Sequence, residues 1–278
     1  MRLMMKRNFL ILVISGIFLL SVFALAITLL TPEVTADTQA VSAANQLYQV
    51  GNYEDAQRIY EQLISQGVED STVYYNLGNT YFRQGDLGRA VLNFQRASQL
   101  NPRDPDIRAN LELARTMADV PFTSTAPGPL STLAEMTSRW LTLNETAILA
   151  LAIWFLACFL FLSLRLLDGG KVRRILRYGA IVALLILALI GLSLGSRIFT
   201  ESTQHNGVVV APVVAVSSEP GEQFATDFSL SSGTEVSLVE TRGNWARLAV
   251  PGDAIEGWIP LNSVETVAGG LLTRDTLL

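Results

Sequence analysis

Two sets of side chains in this sequence have the chemistry of binding rather than of bond making. Asn45 and Asn79 carry amides that donate to and accept from a peptide backbone, and Arg83 carries a planar fork suited to a carboxylate. Tyr48 and Phe82 set aromatic rings among them in sequence. Farther along, Trp245 and Trp258 are the residue type that stacks as a platform under a peptide or a sugar. Groups that make and break bonds are scarce. His205 is the single histidine, so neither a histidine metal cluster nor a histidine-based triad with a second histidine is available, and Cys158, the single cysteine, lies inside an apolar block. No HExxH, CxxC or GxSxG occurs, and Gly169-Gly170 and Gly269-Gly270 lack the Gly-Lys-Ser/Thr of a phosphate loop. The expectation is a non-enzymatic chain with no catalytic residue, no metal and no cofactor.

The elements that must position these residues are set by an uneven hydrophobicity. Half of the chain is hydrophobic and 16% is charged, below the roughly 25% of soluble proteins. The excess sits in three blocks. The first, Phe9–Leu30, follows Arg2, Lys6 and Arg7 and is 22 residues long. It fits a membrane anchor, and equally a signal peptide with Ala24-Leu25-Ala26 as a small-x-small cleavage site. The second and third, at 146–164 and 178–196, are uncharged for 19 residues each, and read as a pair of transmembrane helices. Between them, residues 165–177 carry five basic side chains against one acidic, which by the positive-inside rule puts this loop in the cytoplasm. Residues 31–145 and 197–278 are then both expected outside. No Asp, Glu, Lys, Arg or His lies within any of the three blocks, which argues against a transporter. A net charge of −5 with only two lysines, Lys6 and Lys171, gives no basic surface for nucleic acid.

Between the first and second blocks the sequence repeats. Ala44, Leu47, Gly51, Ala56, Tyr60 and Leu63 return 34 residues later as Gly78, Tyr81, Gly85, Ala90, Phe94 and Ala97, and the second copy adds Tyr74, Leu77 and Pro102. This pattern resembles the tetratricopeptide repeat, a stack of paired helices. Small residues at 44, 56, 78 and 90 let helices approach, large ones at 47, 60, 81 and 94 fill between layers, and Gly51-Asn52 and Gly85-Asp86 end one helix and cap the next. Five helices are expected, at 37–50, 53–66, 71–84, 87–100 and 105–118, the last a capping helix with Arg108, Glu112 and Arg115 on its polar face. The resemblance implies a groove for an extended peptide or a partner helix, lined by the first helix of each pair, and it assigns Asn45, Tyr48, Asn79, Phe82 and Arg83 to that groove.

Residues 119–145 read as a proline-broken linker followed by an interfacial helix over 130–143, with Trp140 at the headgroup level and Asn144 capping the next span. From 206 to 267 the periodicity becomes that of strands. A run over 208–216 is followed by strands near 228–230, 235–240, 245–250, 256–260 and 264–265, with turns between them, which suggests a small all-β barrel. Its Leu230-x-x-Gly233-Thr234-x-Val236 stretch, the turn before Trp245, and Gly257-Trp258-Ile259-Pro260 resemble bacterial SH3 domains. Residues 268–278 are expected to be a disordered tail.

The fold class is thus a multi-domain membrane protein: an all-α tetratricopeptide stack, a transmembrane helical hairpin, and an all-β SH3-like barrel. That order, with Asn110-Leu-Glu-Leu-Ala-Arg115 closing the stack, resembles the BatE-type proteins of bacterial aerotolerance operons. The resemblance implies an envelope scaffold or adaptor in the cytoplasmic membrane. Its implied partners are the lipid bilayer, von Willebrand A-domain membrane proteins of the Bat type and, through them, a MoxR-type ATPase. A second expectation is an envelope sensor whose barrel binds cell-wall glycan (peptidoglycan) or peptide through Trp245 and Trp258.

Overall fold

The computed structural model describes residues 38–118, 140–167, 170–203, 205–250 and 255–267, together with Gly16, Leu20, Ser21 and Ala24 in the first apolar block. The rest of that block, residues 119–139 of the expected linker and interfacial helix, and the tail 268–278 lie outside the described residues. Two compact units result, one of Met1–Glu33 with Leu133–Ile198, the other of Val34–Thr132 with Phe199–Leu278.

The second unit begins with five helices: α1 (Thr38–Gln49), α2 (Tyr53–Ser65), α3 (Ser71–Gln84), α4 (Leu87–Leu100) and α5 (Pro105–Met117). Each lies within one residue of its expected bounds, because the end signals act locally. Asn52, Asp70, Asp86 and Asp104 each accept a backbone N–H of the helix they precede, satisfying donors that the first turn leaves open. Gly51 and Gly85, at φ 81° and 82°, take the left-handed turn between paired helices. The helices close on a fully buried core of Ala44, Ala56, Tyr60, Ala90 and Phe94. At Gly78 a Cβ would stand 2.7 Å from the Phe94 ring, so the glycine sets how closely α3 and α4 approach.

The same unit ends in seven antiparallel strands: β1 (His205–Val209), β2 (Val213–Ser217), β3 (Thr226–Ser231), β4 (Glu235–Arg242), β5 (Trp245–Ala249), β6 (Glu256–Pro260) and β7 (Val264–Thr266). Their order is β3-β2-β6-β5-β4-β1-β7. The edges β3 and β7 do not pair with each other among the described residues, so the sheet is open where a small barrel was expected. The expected run 208–216 is two strands, β1 and β2. Pro212 lies in the break between them, where it has no N–H to give a ladder. Val209, Val216, Val236, Leu248 and Ile259 form the core of the sheet.

The helical stack and the sheet are in contact. Buried Val91 and Leu92 of α4 share one apolar cluster with Val208, Val210 and Val267. At Gly88 a Cβ would lie 2.4 Å from Ser232 Oγ and 2.7 Å from Val209 O, so only a glycine lets β1 come this near to α4.

The first unit contains α6 (Leu143–Leu166) and α7 (Lys171–Thr203, whose last residues fall in the second unit). Both are long and apolar enough to cross a membrane, and only 11% of each apolar window is buried, unlike the core helix of a soluble domain. The N-cap of α6 is Thr142, in a capping box with Glu145, rather than the expected Asn144: a threonine three residues before a glutamate satisfies two donors reciprocally. The basic segment expected as a loop is largely helical. Arg165 lies in the last turn of α6, and residues 171–177 make the first turns of α7. Trp140 is an exposed turn residue. Arg197 of α7 donates to Leu141 O at 3.2 Å and to Thr146 Oγ1 at 3.3 Å, which ties the far end of α7 to the start of α6.

Candidate functional site

The first helices of the pairs, α1, α3 and α5, lie side by side. Each carries asparagines on the seam with its neighbour. Asn45 Oδ1, on α1, accepts from Asn76 Nδ2 of α3 at 2.9 Å and from the Tyr60 hydroxyl at 2.5 Å. Asn79 Oδ1, on α3, accepts from Asn110 Nδ2 of α5 at 2.9 Å, and Asn110 Nδ2 also donates to the Tyr75 hydroxyl at 3.0 Å. The Tyr75 ring in turn sits 5.8 Å from that of Phe94. Two amide–amide bonds at equivalent repeat positions thus set the register of three helices.

These bonds also decide what the asparagines can offer a ligand. With both oxygens engaged, the Nδ2 groups of Asn45 and Asn79 remain as donors, and the Oδ1 atoms of Asn76 and Asn110 as acceptors. Neither Asn76 nor Asn110 was assigned to the groove from the sequence. The same 34-residue spacing that relates Asn45 to Asn79 relates Asn76 to Asn110, and that was the signal available.

Tyr48 and Arg83 are brought together: Arg83 Nε donates to the Tyr48 hydroxyl at 3.4 Å, and the Tyr48 ring meets Tyr53 edge-on at 5.3 Å. Arg83 is exposed, while Phe82 is half-buried against the core of the stack. On the paired helices the polar contacts are internal. The Tyr81 hydroxyl donates to Glu61 and accepts from Gln57 Nε2. Burial pushes the Tyr60 hydroxyl up to about 12 and raises those of Tyr74 and Tyr81 above the ordinary tyrosine value.

Residues 41–105 match the family model of the tetratricopeptide repeat. That span runs from within α1 through α4 to the first residue of α5, so the repeat lies in the helical stack. A similar protein is tetratricopeptide repeat protein 17 of Rattus norvegicus, 29% identical over 93 residues. The match takes in 34% of this chain and 8% of that protein, so the chain spans a small fraction of its relative's length. The repeat suggests a scaffold for protein–protein interaction.

On the sheet, Trp245 and Trp258 are placed differently. Trp258 is 5% exposed, and the Arg242 guanidinium lies 5.1 Å from its ring centroid. It belongs largely to the packing of the sheet. Trp245 is half-buried on β5, opposite Pro260, whereas Trp258 stands opposite Arg247. The two tryptophans are therefore diagonal neighbours, and no ring pair forms between them among the described residues. Trp258 lies in the wall of a cleft of about 730 Å³, with Pro220, Phe224, Asp227 and Arg242 also in the wall. Trp245 is not part of that wall. Among the described residues, no three His, Cys, Asp or Glu side chains are placed to hold a metal ion.

Proposed function

We propose that this chain is a non-enzymatic membrane adaptor that captures an extended peptide or a partner helix on the face formed by α1, α3 and α5. The observation that carries this reading is the asparagine ladder. It holds amide donors and acceptors at equivalent positions on three neighbouring helices, where an extended backbone can pair with them. Asn45, Tyr48, Asn79, Phe82 and Arg83 are the proposed contact residues, with Arg83 available to a carboxylate, and Asn76 and Asn110 join them. Residues 37–118 serve as the repeat domain, and 206–267 as an SH3-type module. The helices over 146–164 and 178–196 anchor both in the bacterial cytoplasmic membrane. The basic stretch at 165–177 favours an extracytoplasmic placement of the two modules. The resemblance to BatE-type proteins points to partners among von Willebrand A-domain membrane proteins, with a MoxR-type ATPase reached through them.

The test is site-specific photocrosslinking from position 79 or 82 of the full chain in native membranes. Adducts with integral membrane proteins are expected, and they should vanish when Ala90→Asp places a charge in the fully buried core of the stack. Adducts from Arg58, away from that face, with none from 79 or 82 would defeat the reading.

The cleft beside Trp258 favours a second reading, an envelope sensor for cell-wall glycan or peptide. It requires that the full chain co-sediment with isolated wall material and that Asp227→Ala or Phe224→Ala weaken the association.

A further inference from the structure

Sequence order divides the extramembrane part of this chain into two modules, one on each side of the apolar hairpin. We infer that they are two halves of one body, and that the surface made by β1, β7 and the turn at Ser232 is a receptor for helix α4 of the same chain. A first function of the sheet is then to bind the stack, apart from any external ligand it takes.

Four observations carry this, and they are spread along the interface. The apolar part is continuous, since Val91 and Leu92 are fully buried in one cluster with Val208, also fully buried, and with Val210 and Val267. Backbone approaches helix at Gly88, where Ser232 Oγ, Val209 O and Val210 Cα occupy the space a side chain would need. Two ion pairs flank the contact. Arg89, itself held by Asp86 at 2.8 Å, donates to Glu265 Oε1 at 3.2 Å, and Arg115 reaches Glu235 Oε1 at 2.6 Å. Lastly, Arg96 donates to main chain, through Nη2 to Thr266 O at 2.6 Å and through Nε to Val267 O at 3.3 Å, with its guanidinium 5.9 Å from the Tyr74 ring centroid. Donation to two successive carbonyls fastens the end of β7 to α4 through charge-assisted hydrogen bonds.

The compartment follows from the contact. Side chains at hydrogen-bonding distance cannot lie on opposite faces of a bilayer. Taking α6 and α7 as the membrane spans of the proposed function, both ends of the hairpin must then emerge on the same side. This conclusion owes nothing to the arginines at 165–177.

The test uses the full chain in native membranes with Cys158→Ser. Arg115→Cys with Glu235→Cys, and independently Arg89→Cys with Glu265→Cys, are treated with a short bis-maleimide. A protease site placed within 119–139 then cuts the chain. Retention of both fragments in one band is expected for either pair, and not for the distant pair Glu54→Cys with Glu219→Cys. Separate fragments for both interface pairs overturn the inference. In parallel, single cysteines at 54 and at 219 are labelled with a membrane-impermeant maleimide before and after lysis. Equal labelling at the two positions is expected, and labelling of one with protection of the other overturns the inference. Equal labelling seen only after lysis keeps the single body and removes the extracytoplasmic placement, so the two readings fail separately.

Discussion

Asn110 donates its amide to Asn79 at 2.9 Å, and Asn76, one repeat earlier, donates to Asn45 at the same 2.9 Å. The bond recurs because the positions recur. Asn45 and Asn79 are equivalent in the 34-residue repeat, and so are Asn76 and Asn110. The first member of the pair is the busier one, since Asn45 also receives the Tyr60 hydroxyl.

Asn45→Ala therefore strips a partner from two groups at once, and Tyr60 is fully buried. We expect a loss of about 1–3 kcal/mol in the local stability of α1 to α3. Asn79→Ala, which removes one of two acceptors from Asn110 and leaves it the Tyr75 hydroxyl, should cost less. Amide hydrogen exchange of α2 and α3 in the detergent-solubilised chain measures both, and equal effects would count against the hub at Asn45.

Gly78→Ala should destabilise the stack by about 1–3 kcal/mol, since the new methyl meets the Phe94 ring at 2.7 Å. Adding Phe94→Leu should recover part of that loss relative to Phe94→Leu alone, because the smaller side chain yields. Additive losses in the double variant, read by the same exchange experiment, would show that the ring is not the obstacle.

Stability of the stack should fall with rising pH above about 10. The Tyr60 hydroxyl ionises near 10 when unfolded and about 12 when folded, so the folded state holds the proton more tightly. Its contribution, of order 2 kcal/mol, is complete below pH 10 and is lost as pH climbs through the folded value. Tyr74 and Tyr81 are shifted in the same direction and add to the slope. Tyr60→Phe should flatten the dependence between pH 10 and 12 in alkaline unfolding followed by hydrogen exchange or near-ultraviolet dichroism.

Trp258→Ala and Trp245→Ala should separate packing from recognition. Trp258 is 5% exposed, and its truncation should cost the sheet about 3–5 kcal/mol and expose 205–267 to protease. The half-buried Trp245 should tolerate the change with a smaller loss. Equal protease sensitivity of the two variants would contradict these placements.

What the sequence revealed followed the range of the forces involved. Helix ends were legible because Asn52, Asp70, Asp86 and Asp104 act on N–H groups two or three residues away. The break at Pro212 was hidden by the valines on both sides of it, which look alike in a continuous strand and in two short ones. The helical start of α7 was missed because a run of arginines marks sidedness without specifying backbone. The amide pairs of the candidate site needed the repeat spacing to be applied to a second asparagine series. Contact between stack and sheet left no periodic trace, since Arg89 and Glu265 are 176 positions apart and only Gly88 gives a local hint.

The grip of Arg96 on Thr266 and Val267 has a consequence for how the chain is made. The helix that supplies the arginine leaves the ribosome about 170 residues before the strand it holds, and the apolar hairpin is synthesised in between. Domains tend to fold in order of synthesis, and distant pairings close late. The part of α4 that meets the sheet, at Gly88 and Arg96, must therefore wait until the hairpin has inserted and the last strand arrives. A nascent chain stalled before residue 264 is the species expected to attract chaperones.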